Sequence, residues 1–159
     1  MINRALLRIK IIQILYSYYK SGDKTALMVE KELFYSIEKT YDLYYHLLNL
    51  AIAITDLAAQ KLESRKTKLR PTAEDLNPNT RFVDNLFISQ LRSNVHLKSY
   101  LAEHKLSWSN SPEVLKELYE EIQSTDFYAE YMAASGSDYD ADKEHWKKIY
   151  RKVILLNES

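Results

Sequence analysis

The segment LYYHLLNLAIAITDLA, residues 43–58, is apolar on almost every side of a helix and decides the fold class. A helix that is apolar all round is buried in a protein core, so Leu48, Ile54 and Leu57 are predicted core residues. The segment is too short for a membrane span and contains a histidine, an asparagine and an aspartate, which excludes a transmembrane helix. It is predicted to be a buried core helix.

The rest of the chain carries the same helical signal. Apolar residues recur in steps of three and four over residues 24–66, which is helical spacing. We expect a break near residues 38–40, because a single helix of that length is rare. The 159 residues include only 2 glycines and 3 prolines, so few positions interrupt a helix. The predicted fold is an all-α helical bundle of about six to eight helices.

Caps and helix-breaking residues place the remaining elements along the chain. In the first half of the chain we predict a helix over residues 3–20 ending before Gly22 and a loop over 70–80. Residues 81–106 form either one helix or two helices that divide at 93–94. The remaining predicted elements are a helix over 112–123 with Ser111 as its N-cap, a short helix over 126–134, a turn at 135–138 and a last helix over 140–156.

Composition and motifs argue against several function classes. Without cysteine there is no disulfide or thiolate metal site, which fits a cytoplasmic protein. No secretory signal is recognisable, and the basic, acid-free residues 1–20 contain one serine, fewer than is typical of a mitochondrial presequence. No glycine-rich phosphate loop or His-Glu-x-x-His motif occurs. Asp42 and His46, one helical turn apart, are predicted to form a structural hydrogen bond rather than a metal site. We predict no enzyme activity and no cofactor.

The formal net charge of zero hides an uneven distribution. Residues 1–22 carry four basic residues and no acid, residues 61–70 carry five basic residues and one acid, and residues 113–144 carry ten acids and two lysines. Such islands can mark surfaces for different partners. They can equally be solvated helix faces, and both interpretations stay open at this point.

The opening stretch RALLRIKIIQILYSYYK, residues 4–20, distributes its cations unevenly around a helix. At about 100° per residue, Arg4 and Arg8 lie about 40° apart, whereas Lys10 lies roughly 160° from Arg8. A membrane-surface helix would segregate its cations opposite the apolar residues, so lipid binding is not predicted. The arginines either pair with acids on a neighbouring helix or bind nucleic-acid phosphates beside stacking tyrosines. Their side also carries Ile11, Leu15 and Tyr19, which we expect in the core, and the polar side carries Gln13 and Ser17.

The order Arg4, Arg8, Gln13, Leu15 and Tyr16 in this stretch resembles the first helix of NusB, the bacterial transcription antitermination factor. An isoleucine stands where the family usually has alanine, and the arginines are sparser than in its most basic members. The resemblance is close over about 20 residues, a little more than five helical turns.

Further along, residues 24–62 are compatible with the second and third helices of the NusB family in length and polarity. The later signature helices of the family do not occur in this sequence. The whole chain instead resembles the N-terminal part of a long, Bacteroidetes-type form with an inserted helical region. That similarity is strongest in the segments KELFYSIEKTYDLYYHLL, LYEEIQSTDFYAEYM and DKEHWKKIYRKVILLN.

The resemblance implies one all-helical domain over residues 1–159, with NusB-like helices over 1–66 and inserted helices over 81–159. It implies that the chain is the N-terminal part of a longer protein. It also implies binding of boxA-type RNA together with the NusE ribosomal protein, in an antitermination complex on ribosomal RNA operons. The RNA-binding residues that follow from the family match are Arg4, Arg8, Lys10 and Tyr16.

Two alternatives stay open for the other charged segments. Lys66, Lys68 and Arg70 either extend the RNA surface or belong to a solvated loop, and we favour the loop. The alternative function is a helical protein-protein interaction module without RNA contact, for which the acidic stretch 113–144 is the docking surface.

Overall fold

The computed structural model describes residues 3–136 and 138–156. Over these residues the chain is all-α, with eight α-helices and no strand, which confirms the predicted fold class. The helices are α1 (Arg4–Ser21), α2 (Ala26–Lys66), α3 (Ala73–Leu76), α4 (Leu86–Ser93), α5 (Val95–Glu103), α6 (Pro112–Gln123), α7 (Asp126–Ala133) and α8 (Tyr139–Ile149), and a π-helical segment (Tyr150–Ile154) follows α8.

The chain divides into two compact units, a first unit of Met1–Leu47 and a second unit of Leu48–Ser159. Among the described residues, every buried apolar side chain belongs to the second unit. The core of the molecule is therefore built by the second part of α2 and the helices that follow it. The single domain over residues 1–159 stays a prediction.

In the first unit, α1 lies alongside the beginning of α2. Asn3 caps α1, since its Oδ1 accepts a hydrogen bond from Leu6 N at 2.8 Å. The helix ends at Gly22, whose φ of 65° is a left-handed conformation that favours glycine. This confirms the first predicted helix and its end.

The second helix is continuous, so the predicted break at residues 38–40 is wrong. No glycine or proline occurs between Ala26 and Lys66, and α2 runs through all 41 of these residues. Thr40, in the expected break, keeps its backbone helical while its hydroxyl donates to the Ser36 carbonyl at 2.9 Å. Length alone is a weak reason for a break where no residue supplies one.

Burial along α2 corrects the prediction of a core helix over residues 43–58. Ile54 is fully buried as predicted, but Leu48 and Leu57 are half-buried, and the Leu43 side chain is 58% exposed. The helices of the second unit cover one side of α2, so only the side chains on that side are buried. The buried positions of α2 in this unit are Leu50, Ala51, Ile54, Thr55 and Ala58.

Around this side of α2, the second unit packs aromatic and branched side chains. α8 contacts α4 and α7, while α6 contacts α7 and the π-helical segment. Phe82 and Trp146 are both buried, with ring centroids 5.5 Å apart. Such large apolar side chains contribute most of the burial free energy of a small core.

The predicted loop over residues 70–80 contains the short helix α3. The Thr72 hydroxyl accepts from Asp75 N, and the Asp75 carboxylate accepts from Thr72 N, both at 3.1 Å. This reciprocal capping box satisfies two amides at the start of the helix. The two prolines of the segment favour a loop, and the prediction therefore missed the Thr-x-x-Asp pattern of the capping box.

The two-helix alternative for residues 81–106 is the correct one. Asn94 ends α4, and its Oδ1 accepts from Leu97 N at 3.0 Å, so the same residue also caps α5. Asn85 caps α4 in the same way, accepting from Ile88 N at 3.1 Å. Asparagine is among the preferred N-cap residues, which explains both boundaries.

Nearer the end of the chain, α6 begins at Pro112 after Ser111 as predicted, although the Ser111 side chain makes no capping hydrogen bond. The predicted turn at 135–138 includes Ser137, which lies outside the described residues. The predicted last helix over 140–156 is wrong in its second half, because a π-helical segment replaces α-helix from Tyr150. Of the apolar residues there, Trp146, Ile149 and Val153 are buried, whereas Leu155 and Leu156 are exposed.

A buried polar network joins α4, α7 and α8. Asp142 is 2% exposed and accepts hydrogen bonds from Leu86 N and from the Tyr131 hydroxyl, both at 2.7 Å. Asn85 Nδ2 donates to the Tyr131 hydroxyl at 3.0 Å. His145 stacks on the Tyr131 ring, with centroids 3.9 Å apart, and its buried Nε2 has no hydrogen-bond partner within the described part of the chain.

We expect Ile54→Ala to lower the free energy of unfolding of the second unit by about 2–5 kcal/mol, because it removes a fully buried side chain and leaves a cavity. The measurement is urea unfolding followed by tryptophan fluorescence, since Trp108 and Trp146 both belong to this unit. Val95→Ala, at a side chain 71% exposed, is the control and should change stability by less than about 0.5 kcal/mol. Equal effects of the two substitutions would place Ile54 at the surface.

We also expect a loss of stability in mild acid that depends on His145. Burial, with the nearby charges of Lys148 and Arg81, lowers the pKa of His145 from 6.5 to about 4. The unfolded chain therefore binds the proton between pH 6.5 and 4 and the folded chain does not, so the free energy of unfolding falls as pH drops through this window, by about 3 kcal/mol in total.

His145→Phe keeps an aromatic ring against Tyr131 but cannot titrate, so it should flatten this pH dependence. His96→Gln, at an exposed histidine, is the control and should retain it. Urea unfolding at several pH values measures the slopes. An unchanged slope in His145→Phe contradicts the assignment.

Candidate nucleic-acid interface

Arg4 and Arg8 lie one turn apart at the start of α1, and both side chains are exposed. Over residues 3–136 and 138–156, neither guanidinium takes part in an ion pair or a side-chain hydrogen bond. The first turn of α1 contains no acid. Because the helix dipole is positive at this end, the two arginines and the free amides together form an electropositive surface. Such a surface attracts anions.

The side of α1 that carries these arginines does not enter a core, so that prediction is wrong. Ile11 and Leu15 are exposed, and Tyr19 is 82% exposed. Apolar residues occur on every side of this helix, so their spacing cannot fix which side meets α2. The arginines therefore share their side of the helix with apolar and aromatic groups that face solvent.

Lys10 lies on the side of α1 that faces α2. Its side chain is half-buried, and Nζ donates to Ser36 Oγ at 2.6 Å. Between α1 and α2 in the chain, Lys24 Nζ donates to Ser17 Oγ at 3.1 Å and to Glu32 at 2.8 Å. The side predicted to be polar is thus the contact side, where the half-buried Leu7 and Ile14 accompany the hydrogen bonds of the two lysines. Lys10 is not brought together with Arg4 and Arg8.

Tyr16 is 64% exposed and lies about 18 Å along the helix axis from Arg4. Lys20 Nζ lies 5.8 Å from the centre of its ring. Tyr18 and Tyr19 follow it, with ring centroids 5.8 Å apart in an edge-to-face arrangement. These two tyrosines are absent from the predicted site, although the sequence YSYY signals them. Exposed rings of this kind are platforms on which unpaired bases stack.

The second basic island is largely paired within the chain. Lys66 Nζ lies 2.7 Å from a Glu63 carboxylate oxygen, and Lys68 Nζ lies 3.0 Å from Asp75 Oδ1. A hydrogen bond from Thr72 N, together with Lys68, lowers the pKa of Asp75 below its usual value. These pairs give Lys66 and Lys68 partners within the chain. Lys66 is the last residue of α2, so the loop expected there begins only after it.

The acidic stretch 113–144 is not one continuous acidic surface. Asp142 is buried in the polar network, and Glu144 pairs with Lys147. Glu120 lies 3.6 Å from Lys61 Nζ. Part of the negative charge that the sequence suggests for docking is thus neutralised within the chain.

The fold and this surface define a class: an all-α protein whose first helix begins with an exposed, electropositive turn. No helix among the described residues is both long and apolar enough to cross a membrane. Comparisons with protein-family models, with curated proteins and with solved structures find no match to this chain.

The contact of Lys10 with Ser36 predicts a structural role that Arg4 does not have. Lys10→Met keeps most of the side chain but removes the hydrogen bond, which should speed amide hydrogen exchange in α1 by up to about tenfold. Lys20→Met is the matched control, since Lys20 is exposed on the same helix, and it should leave exchange unchanged. Exchange rates in α1 that do not respond to Lys10→Met would show that the hydrogen bond is not formed in solution.

Proposed function

We propose that the chain is a non-catalytic RNA-binding protein of the NusB type, acting in transcription antitermination in the cytoplasm. The observation that carries the proposal is the pair Arg4 and Arg8: both are exposed, one turn apart, at an acid-free helix start, and without a partner among the described residues. Arginines in this state can grip phosphates with two parallel hydrogen bonds.

The proposed mechanism separates attraction from base contact. Arg4 and Arg8 neutralise phosphates and release counterions, which supplies a salt-dependent part of the affinity. Tyr16, further along the same helix, offers its exposed ring to an unpaired base. Lys10 has a secondary part, because its ammonium must exchange Ser36 for a phosphate.

The biological setting comes from the resemblance of the first helix to NusB. A boxA-type RNA element, the NusE ribosomal protein and a complex on ribosomal RNA operons belong to this part of the proposal. Residues 24–62 match the family's second and third helices in length and polarity, but α2 is a single continuous helix there. The support from the resemblance therefore rests on the first helix.

The second candidate function is a helical protein-protein interaction module without RNA contact. It is favoured by the apolar side chains that the first unit exposes, which include Ile12 at 66%, Phe34 at 62% and Tyr35 at 62%. Large exposed apolar side chains in one region are typical of interaction surfaces. The two functions differ in one measurable property, because only RNA binding should weaken steeply with salt.

The double substitution Arg4→Ala/Arg8→Ala should reduce the slope of log affinity against log salt by about 1.4 for single-stranded boxA-like RNA, at roughly 0.7 per lost phosphate contact. Helix content should stay the same, because alanine is the better helix former. Affinity is measured by fluorescence anisotropy at several salt concentrations, and helix content by circular dichroism.

Lys98→Ala/Arg151→Ala removes the same charge from two exposed cations of the second unit and is the matched control. It should leave the salt slope unchanged. An identical slope change in both double variants would mean that only net charge matters, and RNA binding that survives the α1 double variant at every salt concentration would refute the proposed site.

A further inference from the structure

The second unit contains a cavity of about 390 Å³ between the end of α2, the segment around residues 74–83, α6 and α7. This volume is within the range, roughly 300–1,000 Å³, of pockets that hold small ligands. Its floor includes the buried rings of Phe82 and Tyr119, and its mouth includes the exposed side chains of Arg65, Glu74 and Gln123. The cavity thus combines an aromatic interior with a charged entrance.

Three aromatic rings line this cavity. The Phe82 centroid lies 5.9 Å from that of Tyr119 and 5.5 Å from that of Tyr128. Phe82 and Tyr119 are buried, so their positions are fixed by packing, while the half-buried Tyr128 keeps part of its ring accessible. A flat ligand ring that enters the cavity can therefore stack or pack edge-on against Tyr128, whose position the buried Phe82 ring fixes.

The polar groups of the cavity suit a heterocycle. Gln123 Nε2 donates to the Tyr119 hydroxyl at 3.2 Å, which leaves Gln123 Oε1 as an acceptor. Burial raises the pKa of Tyr119 far above its usual value, so its hydroxyl stays protonated. The Glu74 carboxylate is a further acceptor, of the kind that takes a hydrogen bond from an exocyclic amino group.

Arg65 supplies the positive charge at the mouth. Its charge acts on the Tyr119 hydroxyl, where it offsets part of the rise in pKa. Lys61, from the same basic island, lies over the Tyr119 ring at 5.0 Å and 3.6 Å from Glu120. Arg65 makes no ion pair in the part of the chain that the structure describes, so its guanidinium can bind an anion.

We propose that this cavity binds a single nucleotide, with the base on the accessible part of the Tyr128 ring and the phosphate on Arg65. The nucleotide is either a free mononucleotide or one unit of an RNA chain, since both present the same base, ribose and phosphate. The site uses no residue of the first unit and does not depend on Arg4 or Arg8.

Isothermal titration calorimetry with AMP tests the site, because adenine has the amino group that Glu74 can accept from. AMP should bind at one site per chain, and inorganic phosphate and ribose 5-phosphate should bind at least about fivefold more weakly, since they lack the stacking base. Arg65→Ala should weaken AMP binding about tenfold. Because Arg65 is exposed, this variant should keep its fold, which tryptophan fluorescence checks.

Arg70→Ala is the matched control: it removes an exposed arginine of the same island that does not line the cavity, and AMP binding should not change. Tyr128→Leu should also weaken AMP. No AMP binding at millimolar concentration would overturn the proposal, as would equal losses in Arg65→Ala and Arg70→Ala. Phosphate alone binding as tightly as AMP would overturn it too.

A six-nucleotide RNA, titrated into the Arg4→Ala/Arg8→Ala variant, distinguishes the two sources of the nucleotide. If the hexamer binds more tightly than AMP, and Arg65→Ala weakens both, the cavity holds one unit of RNA. If AMP binds more tightly than the hexamer, with the same loss in Arg65→Ala, the cavity serves a free nucleotide. AMP binding that persists without Arg4 and Arg8 separates this site from the proposed RNA surface.

Discussion

The carboxylate of Asp142 is the group on which the second unit depends. A buried carboxylate is costly unless its lone pairs are satisfied, and here a backbone amide and a hydroxyl satisfy it from two other helices. The amide is that of Leu86 at the start of α4, where the helix dipole favours a negative charge. Removing the carboxylate would leave the Leu86 amide without its acceptor, and the buried Tyr131 hydroxyl would lose the group to which it donates. The network therefore sets the register of α8 against α4 and α7 more sharply than apolar contact could.

Aromatic packing beside the cavity continues from this network. Tyr131, held by Asp142 and Asn85, stacks on His145, and Arg81 lies 4.5 Å from the centre of the Tyr131 ring. Phe82 follows Arg81 in the chain and is held between His145 and Trp146, at 6.1 Å and 5.5 Å. The ring that forms the floor of the cavity is thus positioned by side chains anchored to a buried carboxylate. A neutral His145 fits this arrangement, because a protonated His145 would be a buried positive charge repelled by Arg81 and Lys148.

Local signals in the sequence were sufficient for the fold class and for most helix ends, because Gly22, Asn94 and Pro112 act on their immediate neighbours. Two features lay beyond such signals. The side on which α1 meets α2 includes Lys10, whose hydrogen bond to Ser36 joins residues 26 positions apart, and the apolar residues on every side of α1 do not single it out. The cavity is assembled from four separate segments, so no motif could reveal it. Its residues include Arg65 from α2, Phe82 from the segment before α4, Tyr119 from α6 and Tyr128 from α7.

The two proposed sites, one in each unit, differ in the physical interactions that they offer to a nucleotide. The first unit buries no apolar side chain completely among its described residues, and α1 contacts α2 through half-buried apolar residues such as Leu7 and Ile14 and through a few hydrogen bonds. The cavity of the second unit is already formed, and stacking inside it is much less screened by salt than contact with exposed arginines. A protein with both would be attracted through α1 at low salt and would retain contacts in the cavity as salt rises.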